Sequence, residues 1–208
     1  MKEFVVEKSF GRPVFMRNPA RGFYSLPYLR FDQPGNPDFL VHLKNNRRTT
    51  PLTVLNRAKN GLRLFAHQEL IQIKNTLGGE LCVCVVPRSK KEGHYCPAQR
   101  FFKQGLAEAV QAINGLENGL NYILRHTDTK TTHLSRCGQG GSGKPPYVGI
   151  TKDTCSISEQ VKGKRILLVD DIYTKTINID EDAIQALRDA GASEVFFYAV
   201  AKTVHRSI

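Results

Sequence analysis

The sequence predicts a doubly wound α/β domain built on a mostly parallel sheet, and three observations carry the prediction. Ile166, Leu167, Leu168 and Val169 form an unbroken apolar run ending in Asp170 and Asp171. Such a run reads as a strand buried on both faces. A polar loop, residues 172–179, follows it, and then a helix. Asp180, Glu181 and Asp182 load the first turn of that helix, where negative charge suits the helix dipole. Ala183, Ile184 and Leu187 give it an apolar face, and Gly191 stops it. Residues 195–200 then read as a second buried strand, completing a βαβ unit. Residues 81–86 read as a further strand with a basic loop behind it. Open α/β sheets bind ligands at the carboxyl ends of their strands, and there this pattern places a carboxylate pair and a loop of phosphate-binding size.

In chain order, residues 2–10 fit a short edge strand. Residues 12–35, rich in Pro, Gly, Arg and aromatics, read as irregular. Residues 39–44 fit a short helix or strand leading to a basic turn, 45–50. Residues 51–75 read as a long helix with Leu55, Leu62, Phe65, Leu70 and Ile73 on one face, ended by Gly78-Gly79. Strand 81–86 carries Cys82 and Cys84 on one side and runs into Pro87-Arg88-Ser89-Lys90-Lys91-Glu92-Gly93-His94. Residues 98–124 read as helix, interrupted or split near Asn114-Gly115 and Asn118-Gly119, with Ala107, Val110, Ile113 and Leu120 inward; alternatively, residues 121–124 begin the next strand. Residues 125–160 are long, polar and glycine-rich. Loops of that length in compact domains are usually lids or disordered.

At 208 residues, 40% of them apolar, the chain fits one domain with a sizeable core. No stretch approaches the roughly 18 apolar residues of a membrane span, and the N-terminus lacks the apolar region of a secretory signal. Five irregularly spaced cysteines (Cys82, Cys84, Cys96, Cys137, Cys155) fit reduced thiols in the cytoplasm. The net charge is +11 and is unevenly spread: residues 1–60 hold 11 Lys/Arg against 4 Asp/Glu, whereas residues 161–208 hold 7 of each. A basic N-terminal third attracts polyanions, nucleic acid among them; it also fits an ordinary solvated surface. Phe23, Tyr24, Tyr28 and Phe31 alternate loosely with Arg21 and Arg30. They could stack bases or pack a loop-rich layer onto the domain.

ILLVDDIYTKTIN resembles the signature of the type I phosphoribosyltransferases: four apolar residues, two acids, an apolar residue, then a Thr/Gly-rich loop. AGASEVFFYAVAKT looks like that family's next helix end and strand, and VVPRSKKEGH is similar in layout to its pyrophosphate loop. The likeness covers residues 81–203, behind a basic N-terminal extension, 1–60, in a single domain. It implies that Asp170 and Asp171 hold the ribose hydroxyls of phosphoribosyl pyrophosphate (PRPP) and meet Mg²⁺ indirectly, through Mg–PRPP. It implies that Thr174, Lys175, Thr176, Ile177 and Asn178 wrap the 5′-phosphate, and that Arg88, Ser89, Lys90 and Lys91 face the pyrophosphate. A flexible part of 125–160 would close over the site, with Arg125, Lys130, His133, Arg136 and Lys144 as candidate cationic tips. Thr176 stands where the family usually has glycine, although Asn178 can still cap the helix. Leu43-Lys44, VVPRSKK and VDDIYT look closest to the competence-protein (ComF-type) branch. Those proteins usually carry an N-terminal cysteine zinc ribbon, and here no cysteine precedes Cys82.

The function so implied is transfer of ribosyl-5-phosphate from PRPP, with Mg²⁺, to a nucleobase or other acceptor, releasing pyrophosphate. A homodimer is left open. The alternatives are a catalytically degenerate regulator or nucleic-acid-binding protein on the same fold, and a flavodoxin-like or response-regulator-like domain in which the two acids merely end a strand. Two further patterns are weaker. Gly138 to Lys144 has P-loop spacing, but Pro145 stands where the Mg²⁺-binding hydroxyl belongs. Cys82, Cys84, His94 and Cys96 match no common zinc spacing.

Overall fold

The computed structural model describes residues 1–8, 15–29, 33–44, 50–131 and 149–204. In chain order the elements are β1 (Lys2–Val6), β2 (Ala20–Tyr28), α1 (Asp38–Lys44), α2 (Leu52–Leu77), β3 (Leu81–Val85), α3 (Pro97–Gln111), β4 (Leu116–Asn118), β5 (Ile123–Arg125), β6 (Cys155–Ile157), β7 (Arg165–Tyr173), α4 (Ile179–Asp189) and β8 (Glu194–Thr203). The main sheet has the order β1-β2-β8-β7-β3-β4; β1 is antiparallel to β2 and every other pairing is parallel. The protein is therefore mixed α/β with a mostly parallel central sheet.

The apolar run of β7 is explained by its two faces. Leu167 and Val169 pack with α1, α2 and α3, while Ile166 and Leu168 pack with α4. β8 divides in the same way, sending Tyr198 and Val200 to one layer and Phe197 and Ala199 to the other. Both strands are thus clothed on either side, as parallel sheets require. Cys82 and Cys84 share the α4-side core, as their alternation predicts. Gly78, Gly79 and Gly191 take left-handed φ values of 64°, 69° and 93°, so the glycines read as stops turn the chain as glycine does best.

Several expectations need correction. The N-terminal extension is not irregular: nine of its residues form β2, paired along β8 from Gly22↔Phe197 to Tyr28↔Thr203. Its Arg-Gly and Leu-Pro steps hid the strand. Gly22 leaves room for the ring of Phe4 on the neighbouring β1. Pro27 lies beyond Tyr24, where β1 ends, so its missing N–H breaks no ladder on that side. Within residues 98–124 the helix stops early: α3 ends at Gln111 and β4 follows, while β5, from Ile123, agrees with the alternative of a strand beginning in 121–124. Of the long 125–160 stretch, β6 pairs antiparallel with β5, while 132–148 lies outside the described residues. That range takes in the P-loop-like Gly138 to Lys144 and the expected tips His133, Arg136 and Lys144. Among the described residues no helix is long and apolar enough to cross a membrane.

The largest surprise is the first turn of α4. Asp180, Glu181 and Asp182, expected as a surface charge for the helix dipole, are only 1%, 3% and 3% exposed. Asp182 is satisfied: its Oδ2 accepts N–H groups from Gly149 at 2.6 Å and Ile150 at 2.8 Å, tying the segment before β6 to α4. Burial pushes its carboxyl up to about 6 against those two donors. The acceptor therefore matters more than the charge. Asp182→Ala leaves two buried N–H groups unpaired and should cost about 2 kcal/mol. Asp182→Asn keeps an acceptor and should stay within about 1 kcal/mol of the parent. Urea denaturation of the two variants measures both.

Candidate functional site

β3 passes through α3 to β4 on one side, and β7 passes through α4 to β8 on the other. The connections diverge between β3 and β7, which makes the carboxyl ends of these two strands the switch point of the sheet, where such folds bind ligands. A cleft of about 140 Å³ opens there. Arg88 and Ser89 contribute from behind β3, Asp170, Asp171, Thr174 and Ile177 from the end of β7 and its loop, and Asp180 from α4.

The carboxylate pair and the basic loop meet directly. Arg88 Nη1 lies 2.9 Å from Asp171 Oδ2, with the two side chains 21% and 9% exposed. Burial alone would raise Asp171, but the Arg88 guanidinium, with Lys44 and the Ile172 N–H, holds it below the usual carboxylate range. Asp170 goes the other way: burial, and then the neighbouring Asp171 charge, push it to about 7. Burial followed by the Asp170 and Glu181 charges raises Asp180 well above its ordinary value. The two members of the pair thus have opposite environments, set by which of them the guanidinium faces.

The loop after β3 is clamped from behind. Arg125, in β5, donates its Nε to the Arg88 carbonyl at 2.6 Å and its Nη1 to the Gly149 carbonyl at 3.1 Å. Thr129 N donates to Ser89 O at 2.7 Å, and Asp128 accepts the Lys91 N–H at 2.8 Å. Arg125 is consequently buried in the cleft wall and is not a solvent-exposed loop tip; Lys130 is exposed and lies outside the cleft lining.

Not every expected site residue reaches the cleft. Lys90 faces Asp128 at 3.8 Å, and Lys91 is exposed. Lys175 pairs with Glu7 at 2.6 Å on the surface, and Thr176 is exposed. Thr174 lines the cleft with its hydroxyl 2.7 Å from that of Thr203. Asn178 occupies the cap position of α4 but makes no side-chain cap hydrogen bond; only its carbonyl is used, by Asp182 N. Among the described residues no non-glycine has positive φ, so Thr176 sits in its loop without left-handed strain. Cys82 and Cys84 lie in the core, and His94 lies 3.2 Å from Asp128.

Sequence reasoning missed Asp180, Asp128 and Lys44 as parts of this region. Lys44 lines the cleft at the end of α1 with its ammonium over the Tyr28 ring. Only the unusual run of three acids in one helix turn could have signalled Asp180. No protein-family model matches the chain, and no curated protein matches it.

The Arg88–Asp171 pair is buried enough that losing one partner strands the other charge. Arg88→Met should destabilise the protein by about 3 kcal/mol. Arg88→Met combined with Asp171→Asn should recover more than half of that loss. A double-mutant cycle in urea tests the coupling, and simple additivity of the two single variants would refute it.

Proposed function

We propose that the chain binds PRPP with Mg²⁺ and transfers its ribosyl-5-phosphate to an acceptor, releasing pyrophosphate. The observation that carries this reading is the convergence, at one switch point, of two stretches about 80 residues apart: Arg88 and Ser89 behind β3, and Asp170, Asp171 and Thr174 at the end of β7. The phosphoribosyltransferase resemblance requires those two stretches to share a site.

In this reading Asp170 and Asp171 accept hydrogen bonds from the ribose hydroxyls, and Arg88 neutralises the diphosphate. Charge-assisted hydrogen bonds of this kind are the strong ones. Arg88 must turn from Asp171 to the diphosphate, while the ribose hydroxyls replace it as donors to Asp171. As the bond from ribose C1 to pyrophosphate breaks, the leaving group takes the electron pair and positive charge builds on the ribose. The Asp171 carboxyl, held in its charged form, places negative charge beside it. Carboxylates are hard oxygen donors of the kind Mg²⁺ takes; Asp170 and Asp171, which line the cleft, would meet the ion indirectly, through the ligand that carries it. When bound, the ion supplies charge neutralisation to the leaving pyrophosphate.

A second reading, PRPP binding without transfer, is favoured by one observation: Lys90 and Lys175, expected to grip phosphates, are directed to Asp128 and Glu7. Calorimetric titration with PRPP and Mg²⁺ tests the shared step. Micromolar binding is expected, weakened roughly a hundredfold by the Asp170→Asn, Asp171→Asn double variant, as the loss of two charge-assisted contacts implies. Unchanged affinity in that variant would overturn the proposal. Pyrophosphate release with a panel of nucleobases then separates transfer from binding alone.

A further inference from the structure

Several buried polar atoms without a hydrogen-bond partner among the described residues gather around the end of β7, on Tyr28, Arg88, Asp171, Asp180 and Glu181. All but one of these residues have an answer nearby. Arg88 and Asp171 form an ion pair, Glu181 accepts the Tyr173 hydroxyl with its other oxygen, and Asp180 shares a hydrogen bond with Asp170. Tyr28 has none. It closes β2, it is 5% exposed, and its hydroxyl is buried with nothing to donate to among the described residues. Lys44, at the end of α1, lines the cleft with its Nζ 4.9 Å from the centre of the Tyr28 ring. Among the described residues that ring is its contact, and no carboxylate pairs with it.

Both groups are hydrogen-bond donors, and a buried donor needs an acceptor. The acids of the cleft do not supply one. Asp171 feels the Lys44 charge but is paired with Arg88, and Asp170 and Asp180 are engaged with each other. Arg88 and Arg125 have partners, so among the described cations of the cleft the charge left over is that of Lys44. The partner these donors fit carries one negative charge and two acceptor oxygens, one for the ammonium and one for the hydroxyl. A carboxylate has that make-up. A phosphate monoester brings nearly two charges and finds no guanidinium fork on this side of Asp171. The sheet order places the two donors opposite Arg88. β3, whose loop carries Arg88, flanks β7 on one side, and β2, which ends in Tyr28, lies on the other side beyond β8. In the proposed reaction the diphosphate leaves toward Arg88. A group that displaces it in line enters from the far side, where Lys44 and Tyr28 stand.

We infer that Lys44 and Tyr28 form an anion subsite that selects a carboxylate-bearing nitrogen ring as the acceptor. The inference rests on the phosphoribosyl reading for the reaction, while the subsite is made only of this chain's own donors. The Lys44 ammonium meets one carboxylate oxygen, and the Tyr28 hydroxyl donates to the other. Val86, Ile172 and Ile177, in the same cleft, give the ring an apolar surface to rest on. A neutral acceptor would leave both donors unpaired, so the selection follows from what the wrong acceptor fails to satisfy.

The test gives the full chain acceptors that differ in a carboxylate, orotate against uracil and nicotinate against nicotinamide. Binding is read by saturation-transfer NMR with and without Mg–PRPP, and turnover by pyrophosphate release. The acid of at least one pair should bind and be used at least roughly tenfold better than its neutral partner, as a charge-assisted contact implies. Lys44→Met should raise the KM of that acid at least roughly tenfold and leave PRPP affinity unchanged. Tyr28→Phe should weaken the acid too, yet melt no lower than the parent, because the hydroxyl it removes has no partner to lose. A merely structural tyrosine would leave acid binding unmoved. A preference for the neutral acceptors, or a parent that holds no acid in either condition, would overturn the inference. So would an acid held beside PRPP without pyrophosphate release, and so would a Lys44→Met variant that loses PRPP as strongly as the acid, since the subsite would then serve the diphosphate. The two proposals fail separately. An acid bound by the parent and lost in Lys44→Met, with no PRPP binding, sinks the phosphoribosyl reading and keeps the anion subsite; PRPP bound with no acid held sinks the inference alone.

Discussion

One half-buried guanidinium, that of Arg88, holds the cleft edge of the sheet together. Four carboxylates, Asp170, Asp171, Asp180 and Glu181, lie at or beside the end of β7, and among the described residues Arg88 is the cation that pairs directly with one of them. The pairing joins the loop behind β3 to the end of β7, across the point where the strand connections diverge. Much of what surrounds it serves to hold Arg88 in place. Arg125 and Tyr95 fix its backbone, with the Tyr95 hydroxyl accepting the Arg88 N–H at 3.2 Å, and Phe102 lies 5.5 Å from its guanidinium. Low local dielectric makes such a pair strong and makes its disruption expensive. The edge is consequently stiff where it meets Asp171 and electrostatically tense where it meets Asp170 and Asp180.

The fold was legible wherever burial is symmetric. β7, β8 and β3 are apolar on both faces and announce themselves as unbroken runs. α2 and α4 show their inward stripes at helical spacing. β2 was illegible because its pattern mixes a glycine required by a neighbouring ring with a proline allowed by the end of the adjacent strand. Both facts belong to β1 and neither to β2. The short strands β4 and β6 were hidden, and β5 showed only as an alternative, because three-residue strands carry almost no periodicity. The candidate site shows the same division. The acid pair and Arg88 stand beside apolar runs and could be read. Asp180 could not, because an acid in the first turn of a helix has an ordinary surface explanation, and only packing shows that this turn faces inward.

The basic excess of the sequence has a different appearance in three dimensions. In the N-terminal third, Arg21 pairs with Glu3 at 2.6 Å and Arg17 pairs with Asp189. Phe23 and Tyr28, which alternate with arginines along the chain, are 1% and 5% exposed and belong to the core. These two aromatics cannot present faces to nucleobases. In this strand Arg21 and Phe23 share a face, the guanidinium 5.3 Å from the ring, while Tyr24 packs on the other side of the sheet, and the composition that suggested a nucleic-acid surface is partly the composition of β2.

The loop after β7 illustrates how a departure from a resembled pattern can be neutral in one respect and consequential in another. Thr176 replaces glycine at no conformational cost, since its backbone does not visit the left-handed region. Electrostatics is where the departure tells. Lys175 is directed to Glu7, and the cleft lining balances three cations, Lys44, Arg88 and Arg125, against three acids, Asp170, Asp171 and Asp180. An anion entering alone would draw Arg88 away and leave Asp171 without its partner. A ligand that carries both hydroxyl donors and a metal-compensated diphosphate would not, because its donors can take the place of Arg88 on Asp171 while its acceptors receive the released guanidinium. The exchange keeps Arg88 and Asp171 partnered, which is the condition that a buried ion pair imposes on anything that displaces it.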